Sequence, residues 1–247
     1  MAMGNIGDLF IEIPSVDSTN IYAMQQVHAR MTKHGNAFFA HEQTQGKGQR
    51  GRNWNSRKDE NIILSVVFEP VSLNPASAFQ LSSAVALACY RFCKVYTGDE
   101  ISIKWPNDIY WRDRKAGGIL IENLIRGNQW EFAVAGMGIN VNQVNFPEEL
   151  PNPVSFRQIT GRVFPVMELA QELCDHLQDT WSILLSDPEV VYDAYNAALY
   201  KRGQTVKLKQ ENRVFEAKIE GVDTSGKLQV LTSMPEVFNF GEVSWVL

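Results

Sequence analysis

The 247-residue sequence predicts an α+β fold: a larger domain mixing strands and helices over residues 1–200, then a small all-β module over 201–247. Two observations carry this. Up to residue 200, short apolar runs of strand length are interspersed with long segments of helical period, whereas after it four short alternating runs follow one another, separated by turn signals. The length suits one large domain or one domain plus a small one, and a composition of 45% apolar and 21% charged residues is that of an ordinary globular chain.

The elements follow in order. Residues 9–13 alternate like a strand, and Asp17 and Ser18 offer N-cap side chains to a helix over 19–31. A strand over 37–41 delivers the chain to a glycine-rich loop, and the apolar run 61–68, bounded by Pro70, is another strand. From Asn74 and Pro75 to Tyr96 the sequence is Ala-rich and apolar around most of its circumference, the mark of a buried helix. Strands are expected at 101–104, 108–111, 115–126 and 129–136, with Gly127 and Asn128 turning a hairpin between the last two. Residues 142–162 are polar and hold three prolines, and a loop of that length in a compact domain is functional or disordered. Helices over 166–186 and 188–200 come next, with Leu169, Leu173, Leu177 and Leu184 at helical spacing. Runs at 204–209, 213–222, 227–232 and 236–246 indicate a small barrel or sandwich, too short to bury much alone and expected to lean on the larger domain.

Three islands carry chemistry. The loop Q-T-Q-G-K-G-Q-R-G-R at 43–52 alternates glycines with cations and runs on into Asn53 and Trp54. Close-approaching backbone N–H groups beside fixed positive charge suit a phosphate or another oxyanion. The same composition also describes a solvated surface loop, and the spacing is neither that of the phosphate loop nor that of the dinucleotide fingerprint. The second island is K-W-P-N-D at 104–108 with K-A-G-G-I-L-I-E at 115–122, which puts Asp108 and Lys115 on the two sides of one tight connection. An exposed hairpin ion pair would have the same residues. The third, A-G-M-G-I-N at 135–140, ends an apolar run, and its glycines mark a bulge or a close backbone approach.

Taken in order, S-T-N at 18–20, Gln43, G-K-G-Q-R-G-R, K-W-P-N-D, K-A-G-G-I-L-I-E and G-M-G-I-N resemble the motifs of the biotin protein ligases, and the resemblance runs from about Val16 to the C-terminus. It implies a class II aminoacyl-tRNA-synthetase-like catalytic domain, a mixed sheet flanked by helices, plus a C-terminal SH3-like β-barrel. It also implies an ATP-dependent ligase. Biotin and ATP give biotinyl-5′-adenylate and pyrophosphate, and a lysine of a biotin carboxyl carrier protein then attacks the mixed anhydride. The carrier would belong to acetyl-CoA carboxylase or another biotin-dependent carboxylase. Both displacements gather negative charge, so positioning and electrostatic stabilisation are the expected means of catalysis.

The resemblance places residues as well. Ser18, Thr19, Asn20, Gln43, Gly46 and Gly117 fall on the biotin side, where the ureido ring needs donors and acceptors, although helix capping would also account for Ser18 and Thr19. Lys115 falls against the biotin carboxylate, with Arg50 and Arg52 as further catalytic cations. Lys47, Gly48, Gln49, Arg50, Gly51, Arg52, Trp54, Asn107 and Asn140 fall on the ATP side, and Asp108 is the candidate for holding Mg²⁺ or orienting the loop arginines. Phe146 is a candidate cover for the adenine, and His41 is read as structural. The family loop commonly runs G-R-G-R-x-G-R; here Lys47 and Gln49 replace its first two arginines, and Arg50 is the neighbouring charge able to compensate.

Other expectations follow from charge and composition. A net charge of −5 argues against a nucleic-acid partner. Fewer than ten residues precede the first strand, so no helix-turn-helix and no DNA binding are expected. Without an N-terminal apolar segment or any run of 18 apolar residues, the expected compartment is the cytoplasm, with no membrane association. Cys89, Cys93 and Cys174 are then buried free thiols. The protein is expected to be a monomer or homodimer. The alternatives are a lipoate–protein ligase, disfavoured by the polar Ser18–Thr19–Gln43 set, and a non-catalytic biotin or nucleotide sensor, disfavoured by the full loop and Lys115.

Overall fold

Residues 4–246 are described by the structure, a computed structural model. The larger sheet takes its strands in the order β1-β2-β3-β7-β6-β5-β4. These are β1 (Phe10–Ile13), β2 (Ala37–Ala40), β3 (Asn61–Phe68), β4 (Ile101–Lys104), β5 (Asp108–Trp111), β6 (Arg114–Arg126) and β7 (Gln129–Asn140). Only β1 and β2 run parallel; the other pairings are antiparallel.

Helix α1 (Thr19–His28) covers one face, packing Ala23 and Val27 on Phe38, Val67 and Val134. The other face is covered by α2 (Ala78–Thr97) and α4 (Val166–Ser186), with α5 (Pro188–Ala197) packed against both helices, and together they form the main core with Ile62, Leu64, Val66 and Phe68 of β3. The alternation of β3 between the two faces explains why its run is apolar except for Asn61 and Ser65: both faces are buried.

The second sheet has the order β11-β10-β9-β8-β12, built from β8 (Thr205–Gln210), β9 (Arg213–Val222), β10 (Leu228–Leu231), β11 (Pro235–Phe238) and β12 (Ser244–Val246). It is antiparallel throughout and leans on the larger domain as expected. Trp105 Nε1 donates to Gly226 O at 2.9 Å, Asn196 Nδ2 donates to Val222 O at 3.1 Å, and Val222 N donates to Asn196 Oδ1 at 2.8 Å.

Several elements differ from expectation for identifiable reasons. Helix α1 ends at His28 because Arg30 enters the left-handed region at φ 57°. Strand β7 runs to Asn140 rather than 136, since its glycines stay in register between β3 and β6. The polar stretch 142–162 contains the short helix α3 (Phe156–Thr160), started by a Ser155–Gln158 capping box. Its amides point inward: Asn142 exchanges hydrogen bonds with Phe164, and Gln143 Oε1 accepts from Asn61 Nδ2 at 2.6 Å. Helix α5 stops at Ala197 because the edge of β4 captures the following backbone, through Ile103 N to Ala198 O and Tyr200 N to Ile103 O, both 2.9 Å. The last run, 236–246, divides into β11 and β12 around a turn at Gly241, φ +88°. The three cysteines are buried free thiols, and burial pushes Cys89 and Cys174 up to about 12.

Candidate active site

On the α1 side of the sheet, three neighbouring strands turn the same face outward: Gly118, Leu120 and Glu122 of β6, Gly138, Gly136 and Val134 of β7, and Ile63, Ser65 and Val67 of β3, each aligned across the ladder. Val134 and Val67 lie under α1. One step along, glycine replaces the side chains and the sheet surface is bare. Two residues from elsewhere fill the space. A Cβ on Gly136 would stand 2.2 Å from Asn20 Oδ1, and one on Gly138 would stand 2.3 Å from the indole of Trp54. The glycines of the third island therefore serve close approach, without a bulge at either position.

The cleft over this floor is lined by Ser18, Thr19, Asn20, Gln43, Lys47, Gly48, Gln49, Trp54, Asn107, Lys115, Gly118 and their apolar neighbours. At one end lies a buried polar network. Ser18 occupies the N-cap position of α1, yet its side chain makes no capping bond. Gln43 caps instead, its Oε1 accepting from Thr19 N at 2.8 Å and from Thr19 Oγ1 at 3.2 Å. That fixes the amide and leaves its nitrogen as the donor available to the cleft. Beneath, the Ser65 hydroxyl is 2.7 Å from both Thr19 Oγ1 and Asn20 Oδ1, and Asn20 Nδ2 donates to Glu122 Oε2 at 2.9 Å.

At the other end, Lys115 Nζ forms an ion pair with Asp108 Oδ1 at 2.6 Å. The ammonium is also 5.8 Å from the centre of the Trp54 ring. Asn107 Nδ2 donates to Ile119 O at 2.7 Å, pinning the K-W-P-N-D turn to β6. Lys104, which starts that turn, is buried with its Nζ 3.1 Å from Tyr110 Oη and within 6 Å of the ring centres of Tyr110, Tyr200 and Trp245. Burial draws its pKa down to about 8.

The glycine-rich loop is a small hairpin. Trp54 N donates to Gly46 O at 2.8 Å, Gly48 N donates to Arg52 O at 2.7 Å, and Lys47 faces Asn53 across an antiparallel bridge. Gln49, Arg50 and Gly51 form its tip. Gln49 Oε1 and Trp54 Nε1 are buried without a partner, both in the cleft. As folded, the cleft encloses about 60 Å³, room for a few water molecules.

Not every expected residue meets here. Arg50 points to the C-terminal module, its Cζ 4.8 Å from the centre of the Phe240 ring. Arg52 and Gly51 are exposed and line no part of the cleft. Asn140 spends its amide on the backbone, donating to Lys115 O and Val154 O. Gly46 and Gly117 sit behind the lining, Gly46 packed under Trp54 O and Gly117 against Gly138 O. Phe146 is half-buried outside the cleft. His41 bridges Glu12 and Asp59 at 2.6 Å each, and these carboxylates raise its pKa. Asp108 offers a single carboxylate, paired with Lys115 at 2.6 Å, and no group of three metal-ligating side chains exists among the described residues. Sequence reasoning passed over Ser65 and Glu122; the available signal for Ser65 was one hydroxyl inside a strand otherwise apolar on both faces.

The Biotin/lipoate A/B protein ligase family matches residues 12–140, and the Biotin protein ligase C terminal domain matches 202–245. The bifunctional ligase/repressor BirA of Escherichia coli is 34% identical over 140 residues, 57% of this chain and 43% of that one. The biotin–[acetyl-CoA-carboxylase] ligase of Mycobacterium tuberculosis is 32% identical over 141 residues, 56% of this chain and 50% of that one. The chain thus spans about half the length of these relatives. In fold it is similar to the biotin protein ligase from Aquifex aeolicus in complex with biotin and ATP, with a TM-score of 0.80 at 24% identity over 96% of this chain and 98% of that one. No helix among the described residues is long and apolar enough to cross a membrane. Since the first of these matches covers a little over half of the sequence and contains every lining residue of the cleft, the chain belongs to the Biotin/lipoate A/B protein ligase family.

Proposed function

We propose that this chain is an ATP-dependent biotin–protein ligase, making biotinyl-5′-adenylate and passing the biotinyl group to a lysine of a biotin carboxyl carrier protein of acetyl-CoA carboxylase or another biotin-dependent carboxylase. One observation carries the reading. A single cleft, floored by bare glycine backbone, has a fixed hydrogen-bonding network at one end and a lysine ammonium at the other. That suits a slender ligand with a polar ring, an apolar middle and a carboxylate. Ser18, Thr19 and Gln43 would read the ureido group, with Ser65 and Asn20 holding them in place.

In the first step a biotin carboxylate oxygen attacks the α-phosphorus of ATP and pyrophosphate leaves. Lys115 neutralises the oxygen at the forming bond, and Asp108 aims the ammonium. Lys47, Gly48, Gln49 and Trp54 would close over the adenylate, the indole first leaving the glycine floor to admit the ligand. In the second step the carrier amine attacks the acyl carbon and AMP leaves. Magnesium enters as the counter-ion of the nucleotide's own phosphates. We assign residues 1–200 to this chemistry and 201–247 to a supporting module, and place the reaction in the cytoplasm.

The test is intact-mass spectrometry of a carrier domain incubated with the protein, ATP, Mg²⁺ and biotin. A gain of one biotinyl group on the carrier lysine is expected. Better turnover with lipoate would reassign the substrate, and absence of pyrophosphate release would make the protein a sensor.

A further inference from the structure

The tip of the cleft's hairpin faces two ways. Gln49 lines the cleft, while the next residue, Arg50, adopts a left-handed backbone (φ 56°, ψ 39°) that costs a non-glycine residue free energy. Its guanidinium lies over the Phe240 ring at 4.8 Å, with Nη2 and Nη1 each 3.4 Å from the Phe240 and Gly241 carbonyl oxygens respectively. The seat for this cation is built. Gly241 has φ +88°, and a Cβ there would stand 1.4 Å from Arg50 Nη2, so any side chain at 241 evicts the arginine. The turn is held by Asn239, whose N and Nδ2 donate to the two carboxylate oxygens of Glu242 at 2.7 and 2.9 Å. The Phe240 ring also meets Trp105 edge-on at 6.1 Å, beside the segment that carries Asn107 and Asp108.

We infer that Phe240 and Gly241 are positioning residues for the cleft, acting through Arg50: the C-terminal module latches the hairpin tip and so sets where Gln49 and Lys47 stand. A half-exposed cation–π contact with two long hydrogen bonds is weak enough to release when ligands enter or the product leaves. The latch concerns the free protein; its effect on the adenylate rests on the function proposed above.

The full-length protein tests it without ligand. Trypsin cuts after lysine and arginine, so Lys47 and Arg52 report hairpin opening. Phe240→Ala should speed cleavage there about two- to fivefold, the opening expected from losing one exposed cation–π contact. Cleavage at Lys207 and Lys218 and the melting temperature should stay at wild-type values, which a merely loosened module would not allow. Phe240→Trp keeps an aromatic face and should restore protection. Gly241→Ala should match Phe240→Ala without removing an aromatic side chain. Arg50→Ala should give the same acceleration, and the Arg50→Ala/Phe240→Ala pair should be no worse than either alone. Unchanged hairpin cleavage in Phe240→Ala and Gly241→Ala, or an additive double variant, overturns the latch. With biotin and ATP, Phe240→Ala should release the adenylate faster by a similar factor; unchanged release in a protein that does form adenylate would sever the latch from ligand holding. A wild-type protein that forms no adenylate would sink the proposed function and leave the cleavage experiment to decide the latch.

Discussion

The Lys115 ammonium lies 2.6 Å from the Asp108 carboxylate, across the connection between β5 and β6, with both side chains a quarter to a third exposed at the mouth of the cleft. The pair is open enough to exchange partners. An arriving carboxylate can share the ammonium while Asp108 keeps it aimed. Lys115→Ala should therefore lower single-turnover pyrophosphate release on the order of 10²–10³-fold with the fold intact. Lys115→Arg should not restore it, since a planar fork does not reproduce a compact charge. Near-normal release from Lys115→Ala would remove this lysine from the chemistry.

Ser65 holds both Thr19 and Asn20 from below. Ser65→Ala leaves their oxygens short of a partner, a loss of about 1–3 kcal/mol. The expected kinetic result is a biotin KM raised roughly tenfold, since about 1.4 kcal/mol is one decade, at nearly unchanged kcat. A fall in kcat with KM constant would mean that the network does not serve substrate binding.

Gly138→Ala places a methyl group where the Trp54 ring now rests. The indole should be expelled toward solvent, making the half-buried Trp54, one of six tryptophans, more accessible to acrylamide quenching. Quenching identical to wild type would show that the floor can yield without moving Trp54.

Lys104 ties the stability of the whole assembly to pH. Its folded pKa, about 8, lies below the unfolded value, so between pH 8 and 10.5 the unfolded chain binds the extra proton and stability rises with pH. Below pH 8 both states are charged and this stabilisation is absent. Lys104→Met should be at least as stable as wild type at pH 7 and should flatten the rise in melting temperature between pH 7.5 and 9.5 predicted by that linkage. A rise of equal steepness in both proteins would assign it to another group.

Gln49 brings a neutral amide with a buried, unpartnered oxygen to a position where the resemblance leads one to expect an arginine. Gln49→Arg would add a charge-assisted hydrogen bond, about 1.5–3 kcal/mol, slowing adenylate release by roughly one to two decades. Stopped-flow tryptophan fluorescence would measure it. Arg50 is engaged on Phe240, so it would have to leave that contact to stand in for the missing charge.

The helices and strands were legible wherever one period ruled a long segment. Helix α4 and strand β3 begin and end where the pattern says. Boundaries failed where a distant element took over the backbone, as β4 does at Ala198 and Tyr200, or where polar residues turned inward, as Asn142 and Gln143 do. The cleft divided in the same way. Ser18, Thr19, Gln43, Lys47 and Lys115, which line the cleft, were reached through the resemblance of their motifs to a known family. Ser65 and Glu122 could not, since their roles exist only through strand registers that bring β3, β7 and β6 side by side. The direction of Arg50 was hidden for a similar reason: its partner lies 190 residues further along the chain.

That separation bears on how the protein is born. The hairpin is synthesised first, and its seat at Phe240 follows 190 residues later. At roughly 5–20 residues per second, the tip waits about 10–40 s on the ribosome for its partner. A nascent chain would thus carry its loop unseated, and a chain cut short before residue 240 would keep every lining residue of the cleft while lacking the seat inferred for the hairpin tip.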